Sequence, residues 1–360
     1  MKHAPVRHRL EYGAYLAFKG IIRALPHAAA RPLGAVLGGL ACRLDRRHRE
    51  VAAANLALAF PTLAAGERSR LVTACFRHFG AALFDLISSE RFDAVELCRR
   101  FRYEGWEHLD RAERLGRGVF LLGAHHGYWE ISGRPIGLYR GVIHTVARPA
   151  DNPHLDRELS RLRRGLGYAV IPKRGAARRM LQVVRAGGRV GILPDQRVQE
   201  REGILVPFFG HPALTTPVLA RLVLRDGCPV VPVFAYPEPG GRYRLVIRPP
   251  ILPDEAGASG EDAGASQAEA NDGSGSVSGD LPLGEGPKSY AAGAWAPRPK
   301  GGRGRLTHYP NDDLGTGGED TATAVATLTR RYLEAIEREI RDHPEMWLWM
   351  HRRWDRPRRG

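Results

Sequence analysis

Two histidines and a glutamate follow an apolar run in the stretch FLLGAHHGYWEISG, residues 120–133. A neutral histidine can take a proton from a hydroxyl group, and a carboxylate on its other ring nitrogen would orient the ring and stabilise the imidazolium. His125 and Glu130 are the residue types that this acid–base chemistry requires. We therefore predict that His125 is a general base and that Glu130 is its orienting carboxylate.

The spacing of this pair restricts the backbone that could bring the two side chains together. On one continuous helix, residues five apart lie about 140° from each other. The pair can meet if the chain turns after Ala124 and a helix begins near Tyr128, with Gly127 as the flexible link. This arrangement places the pair at the end of a strand and the start of a helix, where backbone N–H groups could stabilise the anionic intermediate of acyl transfer.

Metal-dependent and covalent catalysis fit this stretch less well. His126 and Glu130, four residues apart, could supply half of a metal site, but no further histidine or cysteine cluster completes it. A covalent hydrolase needs the nucleophile elbow G-x-S-x-G, which the sequence lacks. If the chain transfers acyl groups, we expect the acceptor hydroxyl to attack the donor directly, with no metal or organic cofactor.

The apolar pattern changes near residue 100. Before it, apolar residues recur at helical spacing over 9–25, 32–44 and 50–95. After it, helix-like segments alternate with short apolar runs at 118–123, 142–147, 168–171, 189–193, 229–235 and 243–248. This alternation predicts an α/β fold in which helices such as 154–165, 175–187 and 323–342 flank a sheet.

The balance of charge is strongly basic. The 360 residues include 54 Lys and Arg against 39 Asp and Glu, a net charge of +15. Such a charge indicates an acidic partner: nucleic acid, anionic lipid headgroups, or a phosphorylated substrate or carrier. Four scattered cysteines without C-x-x-C spacing argue against a zinc site or a disulfide framework and fit a reducing compartment.

The first 45 residues combine apolar helices with basic side chains. Lys19 and Arg23 interrupt the apolar positions of 9–25 and could snorkel, and three arginines follow the segment 32–44. No run of 18 uncharged apolar residues is present, so the pattern favours an anchor that lies on a membrane over a spanning helix. A buried helical hairpin with basic flanks fits the same pattern equally well.

Two further segments bound the domain organisation. Residues 254–322 are rich in Gly, Ala, Ser, Asp and Glu and nearly lack large aliphatic residues, which predicts a disordered insertion. We therefore divide the chain into an N-terminal helical membrane-associated region, an α/β domain and this insertion, at 1–95, 96–253 with 323–360, and 254–322. The tryptophans of PEMWLWMHRRW, residues 344–354, fit either a core position or an aromatic and cationic edge at the headgroup level.

Several motifs together resemble the lipid A biosynthesis acyltransferases, the lauroyl and myristoyl transferases of the wider lysophospholipid acyltransferase superfamily. They are NLALAFP (55–61), GAHHGYWE (123–130), ARPADNPHLD (147–156), RRGLGY (163–168), GILPDQ (191–196), VPFFGHPALTTP (206–217) and PEMWLWMHRRW (344–354). The resemblance implies a glycerol-3-phosphate acyltransferase-like fold, a mixed sheet flanked by helices. The predicted insertion has no counterpart in the family pattern.

The resemblance also implies roles for individual residues. His125 and Glu130 match the catalytic H-x4-D/E pair, and the family commonly has an aromatic residue where this chain has His126. Arg148 and Arg164 match basic positions that could hold phosphate through bidentate contacts, or be solvated surface arginines. Asp195 and Gln196, at the end of RVGILPDQ, are expected to shape the substrate site; the alternative is a turn capped by Asp195.

By this resemblance the chain is a membrane-bound acyltransferase. It would move a fatty acyl group from an acyl carrier protein to a hydroxyl of a lipid A precursor, on the cytoplasmic face of the bacterial inner membrane. Acyl carrier proteins are acidic, so the basic surface could dock the donor as well as anionic lipid. The alternatives are another acceptor, such as a phosphatidylinositol mannoside or a lysophospholipid, and, remotely, a non-enzymatic nucleic-acid-binding protein, for which no binding motif is present.

Overall fold

The computed structural model describes residues 4–147, 149–253 and 319–354. Five helices come first, at α1 (Ala4–Ala24), α2 (His27–Leu44), α3 (Arg46–Ala59), α4 (Ala65–Ser89) and α5 (Ala94–Arg99). Strands and helices then alternate through β1 (Phe101–Glu104), α6 (Trp106–Glu113), β2 (Val119–Leu122), α7 (Trp129–Arg140), β3 (Ile143–Ala147), α8 (Pro153–Gly165), β4 (Tyr168–Pro172), α9 (Ala176–Arg185) and β5 (Arg189–Ile192). The remaining elements are β6 (Ile204–Phe208), β7 (His211–Thr215), α10 (Val218–Asp226), β8 (Val230–Glu238), β9 (Arg242–Ile247) and α11 (Glu319–Asp342).

Seven strands form one mixed sheet in the order β1-β9-β8-β2-β5-β3-β4. All neighbours are parallel except β8 and β9, which pair antiparallel. The central strand β2 is buried on both faces, as the apolar sequence VFLL requires of a strand covered by helices. Its residue Phe120 lies opposite Val190 of β5 on one side and Val230 of β8 on the other. The predicted α/β fold with a mixed sheet flanked by helices is therefore confirmed.

All six predicted apolar runs coincide with strands β2, β3, β4, β5, β8 and β9. The structure adds β1 at one edge of the sheet and the separate antiparallel hairpin of β6 and β7, neither of which the apolar pattern predicted. The hairpin lies in the VPFFGHPALTTP motif, where prolines and glycine interrupt the alternation of apolar residues. Helix α11 begins at Glu319, four residues earlier than expected. The rest of the predicted insertion, 254–318, lies outside the described residues.

Helices α2 and α4 pack backbone to backbone. A Cβ atom on Gly34 would lie 2.4 Å from the carbonyl oxygen of Gly80, and one on Gly38 would lie 2.2 Å from that of Phe76. The inner face of α2 is therefore buried, as the hairpin alternative requires, while its outer face exposes Leu33, Val36, Leu37, Leu40 and Leu44. Helix α4 is the only described helix long and apolar enough to cross a membrane. Of its most apolar 18 residues, 44% are buried in the protein.

The expectation that Lys19 could extend its ammonium group towards solvent is wrong. Its side chain is buried, and its Nζ lies 2.7 Å from a carboxylate oxygen of Glu90 and 3.4 Å from one of Glu158. A lysine without these partners could not be held away from water at this position. The residue therefore joins α1 to α4 and α8, whereas Arg23 is exposed as expected.

The C-terminal segment is part of the core. Trp347, Trp349 and Trp354 are buried among aromatic side chains, so they do not form the headgroup-level edge that was one of the two alternatives. Arg353 is also buried and donates to the carbonyl of Leu214 at 2.7 Å, and burial lowers the pKa of its guanidinium to about 10. The motif PEMWLWMHRRW is thus a packing element against the hairpin of β6 and β7.

Candidate active site

The loop between β2 and α7 brings His125 to the end of the central strand. Helix α7 starts at Trp129, as the spacing predicted. Gly127 adopts a φ of +60°, and a Cβ atom there would lie 2.2 Å from the carbonyl oxygen of Ala235. No other residue fits this turn without displacing β8. Gly127 therefore allows the chain to reverse between the strand and the helix.

Asp195, not Glu130, is the carboxylate that holds His125. Its Oδ1 lies 2.9 Å from Nδ1 of the imidazole, and its Oδ2 accepts the backbone N–H of His125 at 2.9 Å. The indole Nε1 of Trp347 donates to the same Oδ2 at 2.8 Å. Asp195 follows β5, which pairs with β2, so neighbouring strands deliver the two residues to one edge of the sheet. The predicted contact of His125 with Glu130 is corrected accordingly.

Burial and charge act in opposite directions on this pair. Burial alone would raise the pKa of Asp195, but the nearby His125 and the hydrogen bonds from His125 and Trp347 hold it at about 2. Burial likewise lowers the pKa of His125, but Asp195 and, more weakly, Glu130 raise it above its ordinary value. Asp195 is therefore ionised at neutral pH and fixes the proton of neutral His125 on Nδ1, which leaves Nε2 as a proton acceptor.

Glu130 has a different partner. Its carboxylate lies 3.1 Å from a guanidinium nitrogen of Arg163 on α8. Glu130 is on the first turn of α7, and its carboxylate bonds Arg163, whereas Nδ1 of His125 bonds Asp195. The acidic member of the H-x4-E spacing thus positions an arginine in the site and acts on His125 through its charge.

His125 opens into a large cavity. The cavity has a volume of about 1180 Å³ and lies between β2, β3, β5, α7, α9 and α10. Its inner walls carry apolar side chains, among them Ile143, Val146, Met180, Leu193 and Val218. A cavity of this volume with apolar side chains beside a histidine has room for a fatty acyl chain whose carbonyl carbon lies near the imidazole.

The other residues predicted to bind substrate differ in their position relative to the cavity. Gln196 lines the cavity beside His125. Asp195 is fully buried behind His125, so it holds the imidazole and does not line the cavity. Arg164 is exposed on α8 and does not line the cavity; its neighbour Arg163 does. Arg148 lies outside the described residues.

His126 points away from the cavity. It is fully buried beside the aromatic rings of Phe234 and Tyr236, and neither ring nitrogen has a hydrogen-bond partner. Burial lowers its pKa to about 3, so it is neutral. Within residues 4–147, 149–253 and 319–354, no group of three or more metal-ligating side chains is present.

The amides of the loop before α7 are occupied by protein acceptors, so residues 125–128 offer no free donor to an anion. The N–H groups of His125, His126, Gly127 and Tyr128 donate to Asp195, Ala124, Met346 and Ala235. These four bonds make the loop rigid. They therefore orient the imidazole, but they cannot stabilise an intermediate unless they break.

Trp347, Cys75 and Asn55 support the His125–Asp195 pair from distant parts of the chain, and the pattern around His125 did not predict them. Trp347 lies in the C-terminal segment and orients Asp195, while its carbonyl accepts the thiol of Cys75 at 3.2 Å. Asn55, in the NLALAFP motif, donates to the carbonyls of Trp349 and His351 at 2.8 and 2.7 Å. The motifs at both ends of the sequence therefore meet at the active site, which explains why polar Asn55 is buried within an apolar segment.

A histidine–aspartate pair at the strand ends of an α/β sheet, beside a cavity with apolar walls, has the chemistry to activate a hydroxyl group for attack on an acyl donor. The sequence matches the family described as "Bacterial lipid A biosynthesis acyltransferase" over residues 1–272 and 298–356. The chain therefore belongs to this family and is an acyltransferase, which confirms the resemblance found in the motifs. Apart from the last four residues, only 273–297 are unmatched, so the family pattern includes both flanks of the predicted insertion, 254–272 and 298–322. The expectation that the whole insertion has no counterpart in the family is therefore wrong, and only its central part lacks one.

Individual relatives agree with this assignment. The lipid A biosynthesis lauroyltransferase of Escherichia coli (strain K12) is 29% identical over 230 residues, 63% of this chain and 74% of that protein. The lipid A biosynthesis palmitoleoyltransferase of the same organism is 30% identical over 202 residues, 55% of this chain and 65% of that protein, slightly less than two thirds of its length. The phosphatidylinositol mannoside acyltransferase of Mycobacterium tuberculosis (strain ATCC 25618 / H37Rv) is 28% identical over 235 residues, 63% of this chain and 73% of that protein.

Proposed function

We propose that the protein transfers a fatty acyl group from an acyl carrier protein thioester to a hydroxyl of a lipid A precursor, with His125 as the general base. The observation that carries this proposal is the His125–Asp195 pair at the cavity. Names of several relatives supply the acceptor class, lipid A. The acidic carrier is the donor class that suits so basic a chain.

The proposed reaction needs one proton acceptor and no covalent enzyme intermediate. Nε2 of His125 takes the proton of the acceptor hydroxyl as its oxygen attacks the thioester carbonyl carbon. The C–O ester bond forms and the C–S bond breaks. The imidazolium, stabilised by Asp195, then returns the proton to the departing thiolate. Removal of such a base lowers the rate by about 10²–10⁴.

The direct test is transfer by the purified full-length protein. It would be incubated with an acyl carrier protein charged with a fatty acid and with a lipid A precursor that lacks secondary acyl chains. We expect one new acyloxyacyl ester by mass spectrometry, and none with His125→Ala of unchanged thermal midpoint. Loss of one specific acyl group from the lipids of a gene-deletion strain would identify the acceptor and chain length together. A fully active His125→Ala variant would refute the mechanism.

The second candidate acceptor is a phosphatidylinositol mannoside, because one relative carries that name. The same histidine base and the same apolar cavity would serve it. Offering both acceptors at equal concentration separates the candidates, since the preferred one should show the higher kcat/KM by more than tenfold. Transfer to the mannoside alone would replace the lipid A proposal while leaving the catalytic assignment intact.

We also propose that α1 and α2 lie on the membrane, on the cytoplasmic face where the carrier is available. Nine of the fifteen exposed large hydrophobic side chains of the described residues are on these two helices. Those of α2 follow helical spacing and form one face, as in helices that lie in the bilayer interface. The acceptor is a lipid, so attachment would bring the cavity to its substrate.

The attachment test uses substitution of the exposed face. High salt should weaken membrane binding without releasing the protein, because apolar side chains remain inserted. Leu37→Glu with Leu40→Glu should move the protein to the soluble fraction. Leu205→Glu, at a leucine of β6 that is more exposed than Leu37 and Leu40, is the control and should stay bound. Complete release of the wild-type protein by salt alone would contradict the anchor.

A further inference from the structure

The cavity has more positive charge than its own carboxylates can balance. Five basic side chains line it, Arg163, Lys173, Arg174, Arg201 and Arg221, against two carboxylates, Glu130 and Glu202. Both carboxylates are already in ion pairs, Glu130 with Arg163 and Glu202 with Lys173, each at 3.1 Å. Three arginines therefore remain without a balancing charge.

These three residues, Arg174, Arg201 and Arg221, form what we call the arginine cluster. Arg174 precedes α9, Arg201 lies in the 3-10 turn Glu200–Glu202, and Arg221 is on α10. In the described part of the chain, none of their guanidinium groups makes a hydrogen bond or an ion pair with the protein. The three side chains are exposed, and three separate elements thus bring guanidinium groups to the lining of one cavity whose two carboxylates are already paired.

We propose that the arginine cluster binds a phosphate group of a substrate. Guanidinium groups offer planar pairs of N–H donors that match phosphate oxygens, and they stay protonated at all physiological pH values. The inference rests on the proposed function, because it assumes that the cavity holds the substrates of acyl transfer. Two sources carry the required chemistry: a phosphate monoester on the lipid acceptor, or the phosphodiester of the phosphopantetheine arm of the donor.

Binding can be tested without activity, by using inorganic pyrophosphate as the probe on the full-length protein in detergent. Pyrophosphate should raise the thermal midpoint of the wild-type protein at constant ionic strength. Arg174→Ala and Arg221→Ala should each raise its Kd about tenfold, the effect of losing one charged hydrogen bond. The matched control is Arg178→Ala on α9, an exposed arginine outside the cavity lining. Equal Kd values for cluster and control variants would overturn the site, even if the enzyme transfers acyl groups as proposed.

Kinetics then identify the source of the phosphate. If the acceptor supplies it, cluster variants raise KM about tenfold for the phosphorylated acceptor and leave KM unchanged for the same lipid after dephosphorylation. If the donor supplies it, KM rises for the acyl carrier protein and stays unchanged for a short acyl thioester without phosphate. An equal rise for phosphate-free and phosphate-bearing substrates, or no rise for any of them, would overturn the proposal.

Discussion

Replacing Asp195 by asparagine should stop the reaction by reversing the tautomer of His125. Asp195 accepts three hydrogen bonds: two on Oδ2, from the backbone N–H of His125 and from Trp347, and one on Oδ1, from Nδ1 of His125. Asparagine has one acceptor oxygen, which the two donors at the Oδ2 position would claim. Its NH2 group then faces Nδ1, so neutral His125 must carry its proton on Nε2 and cannot accept another there.

The expected loss follows from this change. A general base that is present only in the wrong tautomer should lower kcat/KM by about 10³–10⁴, close to the full contribution of the base. Asparagine keeps the shape of the side chain and two of the three hydrogen bonds. The free energy of unfolding should therefore fall by only about 1–3 kcal/mol. Charge removal also lowers the pKa of His125, because Asp195 is the main group that raises it.

The assay is kcat/KM against pH, combined with 15N NMR of the histidine ring. Activity requires neutral His125 and is lost as the pH falls through its raised pKa, so in Asp195→Asn the residual acid limb should move to lower pH. Glu130→Gln is the control: it removes the weaker charge and the bond to Arg163, so the Nδ1–H tautomer should persist and the acid limb should move less. If Glu130→Gln moves the acid limb further than Asp195→Asn does, or if Asp195→Asn keeps the Nδ1–H tautomer, the assignment of Asp195 is refuted.

Three further outcomes are expected. His125→Ala should abolish transfer while His126→Phe keeps most of it, which parallel steady-state assays at equal thermal midpoint would show. His126→Phe should also make the free energy of unfolding less sensitive to acid. The pKa of His126 is about 3 in the folded protein and about 6.5 in the unfolded chain, so acid protonates the unfolded chain first and favours it. The free energy of unfolding of the wild type should therefore fall by about 2 kcal/mol from pH 7 to 5 through this residue. Urea unfolding at both pH values measures that difference, and an unchanged difference in the variant would count against it. His78→Phe should lower kcat about tenfold with little change in KM, because Nε2 of His78 donates to the carbonyl of Gly127 at 3.3 Å and holds the catalytic loop; a rise in KM alone would instead indicate a substrate contact.

The local features of this site could be predicted from the sequence, whereas its long-range contacts could not. The turn after Ala124 and the helix start near Tyr128 were predictable, because Gly127 and the spacing of apolar residues act over a few residues. The partner of His125 was not predictable from the same stretch. Asp195 reaches it only because β5 pairs with β2, and the order of strands in a parallel sheet depends on packing between distant segments.

The same limit applied to Glu130 and to the arginines. The H-x4-E spacing brings Glu130 close to His125, but the angle between the loop and α7 directs its carboxylate to Arg163. Arg163 and Arg164 are adjacent in the sequence, and only the rotation of α8 decides which of them faces the cavity. A motif therefore locates such a residue to within one position, whereas one step along a helix turns the side chain by about 100°.

The contacts around His125 also determine how membrane attachment can be tested. Gly34 of α2 packs on the backbone of α4; α4 in turn holds the carbonyl of Trp347 through Cys75. Trp347 donates to Asp195, and Asp195 fixes His125. Deleting the first 45 residues would uncover α4 and disturb this series of contacts, so lost activity could not be assigned to lost membrane binding. Substitutions on the outer face of α2 leave its glycine contacts in place. Only they separate the attachment of the enzyme from the integrity of its active site.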